Sequence, residues 1–160
     1  MMRHKNKSFK PKTENMKLFI IALGILFSTA TTNAFAVDSK TIPSIIKNFS
    51  TKFKDATDVK WSNTEDFLII EFKQKDKINY AYYNESSELV VLATPVTISE
   101  LKPSLQKELS KRYSDFTISD LFILKDGTEV KYSAVLMNQA EKLILSSTGS
   151  KWQVIKKVKN

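Results

Sequence analysis

The sequence predicts an α+β protein of two tandem units, each a helix followed by a four-stranded antiparallel meander, with both helices on one face of the sheet. Three observations predict it. First, Pro43-Ser44-Ile45-x-Lys47-x-Phe49-Ser50-x-Lys52-Phe53-x-Asp55-x-Thr57 recurs as Pro103-Ser104-Leu105-x-Lys107-x-Leu109-Ser110-x-Arg112-Tyr113-x-Asp115-x-Thr117. Pro, Ser, Lys, Ser, Asp and Thr are identical between the copies, and the remaining positions keep their chemistry. Second, each copy carries an apolar stripe at helical spacing. Third, each is followed by four short apolar runs separated by polar turns. The units span residues 37–98 and 99–160 and together make one compact domain behind a leader, residues 1–36.

The leader opens with Arg3, Lys5, Lys7, Lys10, Lys12 and Lys17 against only Glu14. The apolar run Leu18 to Phe27 follows, and Ala34-Phe35-Ala36 closes the segment. A basic end, a short apolar core and an A-x-A site form the pattern of a cleaved secretory signal peptide. The run is too short to cross a bilayer, which takes about 20 residues. Met16 is an equally sensible start to Met1 or Met2. The expected mature protein begins at Val37 and is periplasmic or secreted, soluble, with no membrane span.

In the first unit Ile42, Ile45, Ile46, Phe49 and Phe53 form the stripe, with Pro43 suited to the first turn of the helix. Strands are expected from Val59 to Trp61, Phe67 to Lys73, Ile78 to Tyr83 and Glu88 to Thr94. In the second unit Leu101, Leu105, Leu109 and Tyr113 repeat the stripe, with Ser99 as N-cap and Glu100 near the positive helix end. Its strands are expected from Thr117 to Lys125, Thr128 to Met137, Lys142 to Ser146 and Trp152 to Val158. Asp126-Gly127 is a strong hairpin signal. The short link Thr94-Pro95-Val96-Thr97-Ile98 lets the two sheets lie side by side as one eight-stranded surface.

Composition removes whole classes of chemistry. Cysteine is absent, and the one histidine, His4, lies in the leader. The mature chain therefore has neither Ser-His-Asp nor Cys-His catalysis, no usual zinc site and no thiol redox chemistry. Losing the leader lowers the formal net charge from +8 to about +3, so no clustered basic face for nucleic acid is expected. Lys156, Lys157 and Lys159 are grouped; they could touch anionic lipid, but read more simply as a solvated chain end. No cofactor and no metal are expected. Asp55 and Asp115 hold equivalent places after each helix and read as turn residues. Glu65, Asp66 and Asp76 sit in hairpin turns without the spacing of a calcium loop, and Asn84-Glu85-Ser86 reads as a turn.

The stretch Phe53-x-Asp55-Ala56-Thr57-Asp58-Val59-Lys60-Trp61, with Glu71-Phe72-Lys73 and Tyr80-Ala81-Tyr82-Tyr83-Asn84, resembles the PepSY-like exported proteins of Bacteroidota, grouped with β-lactamase-inhibitor-protein-like folds. The resemblance covers the chain from about residue 40 onward and implies tandem helix-plus-four-strand units with helices behind a concave sheet. Most members have no known function, and the motifs bring no catalytic residue. Ser87 stands where the pattern has a glycine closing the third hairpin, whereas Gly149 keeps it in the second unit.

Strand alternation then locates a candidate surface. Leu68, Ile70 and Phe72 share one side of their strand. Phe67, Ile69, Glu71 and Lys73 share the other, which the charged pair marks as open. With Ala81 and Tyr83 toward the helix, Ile78, Tyr80 and Tyr82 face outward, as do Lys131, Ser133, Val135 and Met137. Phe67, Ile69, Tyr80, Tyr82, Val135 and Met137 are accordingly the candidate partner-binding residues. A one-residue bulge would instead turn them into core. Trp61 and Trp152 are expected in the core. The function expected is a non-catalytic binding module of the cell envelope whose open sheet takes a protein, a peptide or an envelope polymer. The alternative is an inhibitor or regulator of an exported hydrolase, acting through the Ser62–Asp66 or Asn138–Glu141 loops. A carboxylate-only enzyme would need two acids flanking a cleft, and no pair identifies itself.

Overall fold

The computed structural model describes residues 41–64 and 66–160, so the leader and its cleavage site lie outside the described residues. Helix α1 (Thr41–Lys52) precedes strands β1 (Thr57–Asn63), β2 (Leu68–Gln74), β3 (Lys77–Tyr83) and β4 (Leu89–Pro95). A 3-10 turn (Ile98–Glu100) and helix α2 (Pro103–Arg112) lead to β5 (Thr117–Asp126), β6 (Glu129–Met137), β7 (Glu141–Ser147) and β8 (Gln153–Lys159). The strands form one antiparallel eight-stranded sheet in sequence order, β1 to β8. The fold is α+β, with all eight expected strands present.

Both helices lie on the same face because both stripes need a cover. Under α1, Ile45, Phe49 and Phe53 pack on Leu68, Ile70, Phe72, Ala81 and Tyr83. Phe72 is the centre: its ring lies 5.0 Å from Phe49, edge-on, and 4.7 Å from Phe53. Under α2 the filling is aliphatic, with Leu101, Leu105 and Leu109 packed on Leu121, Leu136, Leu143 and Leu145. Trp152 closes that end. Its indole N–H donates to the Leu105 carbonyl at 3.1 Å and its backbone N–H to the Glu108 carboxylate at 2.8 Å.

Several expectations are corrected here. The second helix starts at Pro103, not near Ser99, because the residue before a proline is pushed out of helical conformation. Ser99 and Glu100 belong to the separate 3-10 turn, where the Glu100 carboxylate accepts from the Thr97 N–H at 2.9 Å. Ile42 and Ile46 remain exposed, as does Trp61 at 43 %. Trp61 sits on β1, an edge strand with a neighbour on one side only among the described residues, and its ring meets Phe49 at 6.1 Å. Trp152 is buried as expected.

The turns are specific. Asp126 pairs with Glu129, and Gly127 takes a positive φ of 56° at the first central position, where a type II′ hairpin wants glycine. Between β2 and β3 the two central residues are Lys75 and Asp76, at φ 51° and 59°, a primed turn made without glycine. Ser87 also adopts a left-handed φ of 61°, the conformation glycine accepts without strain. Its turn is tied down: the Ser87 N–H donates to the Asn84 carbonyl at 3.0 Å, and Asn48 on α1 donates to the Ser87 carbonyl at 2.9 Å. The turn that lacks the pattern's glycine is thus a braced one.

The join between the halves is narrow. β4 and β5 pair only from Leu92↔Lys125 to Pro95↔Phe122. An ion pair between Lys77 and Glu100 at 2.6 Å reinforces it. That pair and the Thr97 N–H bond hold the Glu100 carboxyl down to about 2.

Candidate functional site

Strand register determines which side chains meet on the face opposite the helices. Ile69, Tyr82 and Val91 stand in one row across β2, β3 and β4. Glu71, Tyr80, Ala93, Leu124 and Lys131 stand in another across β2 to β6. The faces expected from alternation are the observed ones: Phe67, Ile69 and Tyr82 lie opposite Leu68, Ile70, Ala81 and Tyr83, which belong to the cluster under α1.

Their exposure is not as expected. Phe67, Ile69, Tyr82 and Val135 are buried, with Tyr82 at 0 % and Ile69 and Val135 at 1 %. Phe67, Ile69 and Tyr82 join Val91, Ala93, Phe122 and Leu124 in a second apolar cluster, to which no described helix contributes. Rows of apolar side chains on neighbouring strands flank one another, and the Phe67 and Tyr82 rings meet edge-on at 6.1 Å. Phe67, Ile69 and Tyr82 therefore belong to a core on the helix-free face, Val135 is buried outside that cluster, and none of the four is an open contact surface. Of the six candidates only Met137 is exposed, at 41 %, while Tyr80 is half-buried and meets Phe122 at 6.2 Å.

Phe122, Leu124 and Val91 escaped the sequence reading. In Leu121-Phe122-Ile123-Leu124 every residue is apolar, so alternation cannot choose a face there. Ile78, two residues before Tyr80 on the same face, is exposed at 48 % and extends the accessible rim. Beside it Lys60 and Glu71 form an ion pair at 3.1 Å. Toward β6 and β7 the face turns polar, with Lys131, Ser133 and Ser146 buried and Lys131 paired to Glu129 at 2.8 Å.

The phenols here are poor acids. Burial pushes Tyr82 far above the ordinary tyrosine value, and burial followed by the charge of Glu71 raises Tyr80. Both rings stay neutral at physiological pH, so the cluster offers apolar area and hydroxyls rather than acid–base groups. Asp55 and Asp115 are exposed in the turns after each helix, bridged by equivalent bonds from Ala56 N–H to the Phe53 carbonyl and Phe116 N–H to the Tyr113 carbonyl, both 3.1 Å. Among the described residues no group of three or more His, Cys, Asp or Glu side chains could hold a metal ion. A groove of about 300 Å³ lies on the helix side instead, lined by Ile98, Leu109, Tyr113, Phe116, Ile118 and Leu136. Of the expected loops, Asn138–Glu141 is closed by its own hydrogen bonds: the Asn138 side-chain oxygen accepts from the Ala140 and Glu141 N–H groups, each at 2.9 Å.

No protein-family model matches the chain, and no curated protein matches it. Solved structures do. A BLIP-like protein from Bacteroides fragilis NCTC 9343 superposes with a TM-score of 0.62 at 16 % identity, over 74 % of this chain and 86 % of that one. A DUF2874 family protein from Bacteroides uniformis ATCC 8492 superposes with a TM-score of 0.62 at 14 % identity, over 72 % and 87 %. A candidate periplasmic protein from Bacteroides eggerthii DSM 20697 does so with a TM-score of 0.62 at 12 % identity, over 72 % and 86 %. The chain thus shares the BLIP-like fold of these Bacteroides proteins, the shape that its sequence resemblance implied. No described helix is long and apolar enough to cross a membrane.

Proposed function

We propose that this protein is an exported, non-catalytic binding module of the cell envelope, working through the helix-free face of its sheet. One observation carries the reading: apolar side chains from β2 to β5 gather on the face that neither described helix covers. A sheet backed by helices already has its core on the helix side, so a second apolar cluster calls for another use. Its buried members are the support. The contact surface is the rim around them, formed by Ile78 and Tyr80 beside the Lys60–Glu71 pair, with Met137 further along the same face on β6. The partner is an envelope protein, peptide or polymer with an apolar contact element.

The test is recovery of envelope partners by immobilised wild type and by Tyr80→Ala and Met137→Ala variants, followed by titration. A rim hot spot is expected to cost about 2 kcal/mol of binding while circular dichroism stays native. Unchanged recovery and affinity in both variants would move the site off this face. Tyr82→Ala is the control for the buried support and is expected to lose stability first.

A further inference from the structure

The basic cluster near residue 156 is no loose end. Lys156, Lys157 and Lys159 ride on β8, which pairs with β7 from Glu141↔Lys159 to Ser146↔Gln153. Among the described residues β8 has a neighbour on one side only, so its outer backbone N–H and C=O groups are left open. Every residue of β8 is exposed, including Val154 at 46 % and Val158 at 40 %. From Lys142 to Asn160 the sequence contains lysines and no Asp or Glu. Lys157 pairs with Glu141; among the described residues Lys156 and Lys159 have no carboxylate within ion-pair distance.

We infer that the β8 edge is a second docking site, distinct from the helix-free face, for an extended acidic polypeptide segment that adds a ninth strand. Register separates this occupant from a membrane surface. Lys157 and Lys159 stand opposite Leu143 and Glu141, and Leu143 belongs to the cluster under α2; Lys156 and Val158 project to the other face. A flat anionic surface meets one face of a strand at a time. An added strand runs along the edge and meets both, with carboxylates near lysines on either side and apolar residues near Val154 and Val158. Its backbone satisfies the open edge, which gives affinity, while the alternating side chains give selectivity. Both edges carry a bulge, β1 between Thr57 and Lys60 and β8 between Val154 and Lys156, but the β1 edge lacks the charge for this role: it holds Asp58, and its Lys60 is already paired to Glu71.

The probe is a dye-labelled, end-blocked Glu-Val-Glu-Glu-Thr-Val peptide, whose carboxylates fall on both faces of a strand, titrated into the whole protein. Two comparators accompany it: a Glu-Pro-Glu-Pro-Glu-Pro peptide of equal charge that cannot form a strand, and phosphatidylglycerol vesicles. Saturable binding of the first peptide is expected, with slowed hydrogen exchange at backbone amides 153–159. Affinity should fall about tenfold or more with the proline peptide, and similarly in a Lys156→Glu/Lys157→Glu/Lys159→Glu variant that keeps native Trp152 fluorescence. Equal binding of the proline peptide would reduce the site to diffuse charge attraction. Vesicle binding without peptide binding would make it a lipid surface. No binding, together with aggregation of a variant carrying valines in place of these lysines, would mean that they only guard the edge. Each of those three outcomes overturns the inference, and none of them bears on the helix-free face.

Discussion

The two halves fill the same space beneath a helix with different chemistry. Rings of Phe49, Phe53 and Phe72 interlock under α1, whereas leucines from α2 and three strands fill the space under α2. The attachments differ in polarity as well. At equivalent helix positions Asn48 donates to the Ser87 carbonyl, while Glu108 accepts from the Trp152 N–H. The strands that follow the helices differ most. β1 is an edge strand of seven residues, all exposed, and its Trp61 stands in solvent. β5 runs ten residues between two neighbours, and Leu121, the counterpart of Trp61, is buried. Equivalent sequence positions therefore acquire different burial from sheet order alone.

The sharpest test of this comparison is a pair of tryptophan replacements. Trp152→Ala removes a buried ring and two hydrogen bonds and is expected to cost about 3–5 kcal/mol in denaturant melts. Trp61→Ala, on the open edge, is expected to cost about 1–2 kcal/mol. Equal losses would erase the asymmetry between the halves. The helix attachments come next. Glu108→Ala strands a partly buried N–H and is expected to cost about 1–2 kcal/mol, against less than about 1 kcal/mol for Asn48→Ala, whose bond is exposed.

Smaller effects lie in the closing turns. Ser87→Gly relieves a left-handed serine and is expected to stabilise by about 0.5–1 kcal/mol. Gly149 has no positive φ and open space where a Cβ would go, so Gly149→Ser is expected to stay within about 0.5 kcal/mol. A reversed order in thermal melts would mean that the two turns have exchanged roles. The smallest effect joins the halves. Because the folded carboxyl of Glu100 titrates near 2, below its ordinary 4.5, its contribution is present above pH 4.5 and is lost as pH falls toward 2. Glu100→Gln should therefore melt with a shallower pH dependence between pH 5 and pH 2 than wild type, and identical slopes would remove the pair from the joint.

Much of this architecture is legible in the sequence. The stripe through Phe49 and its copy through Leu109 located both helices, and alternation through Leu68 to Lys73 assigned the faces of β2 correctly. Exposure was harder to read, because it depends on neighbours that are distant in sequence. Nothing local in Asp58-Val59-Lys60-Trp61 says that its strand has one partner, and nothing in Phe67 to Ile69 says that Phe122 and Leu124 will arrive on the same face. The helix start at Pro103 was misplaced because Ser99 and Glu100 make an equally good cap for a 3-10 turn.

Strand order has one more consequence, in time rather than in space. Each strand pairs only with the strands immediately before and after it in the sequence. Contacts of that kind close short loops and form quickly. A chain emerging N-terminus first, from a ribosome or a translocation pore, always finds the partner of its newest strand already delivered. The long-range fastening of Trp152 onto α2 comes last, when the sheet it locks is already laid down.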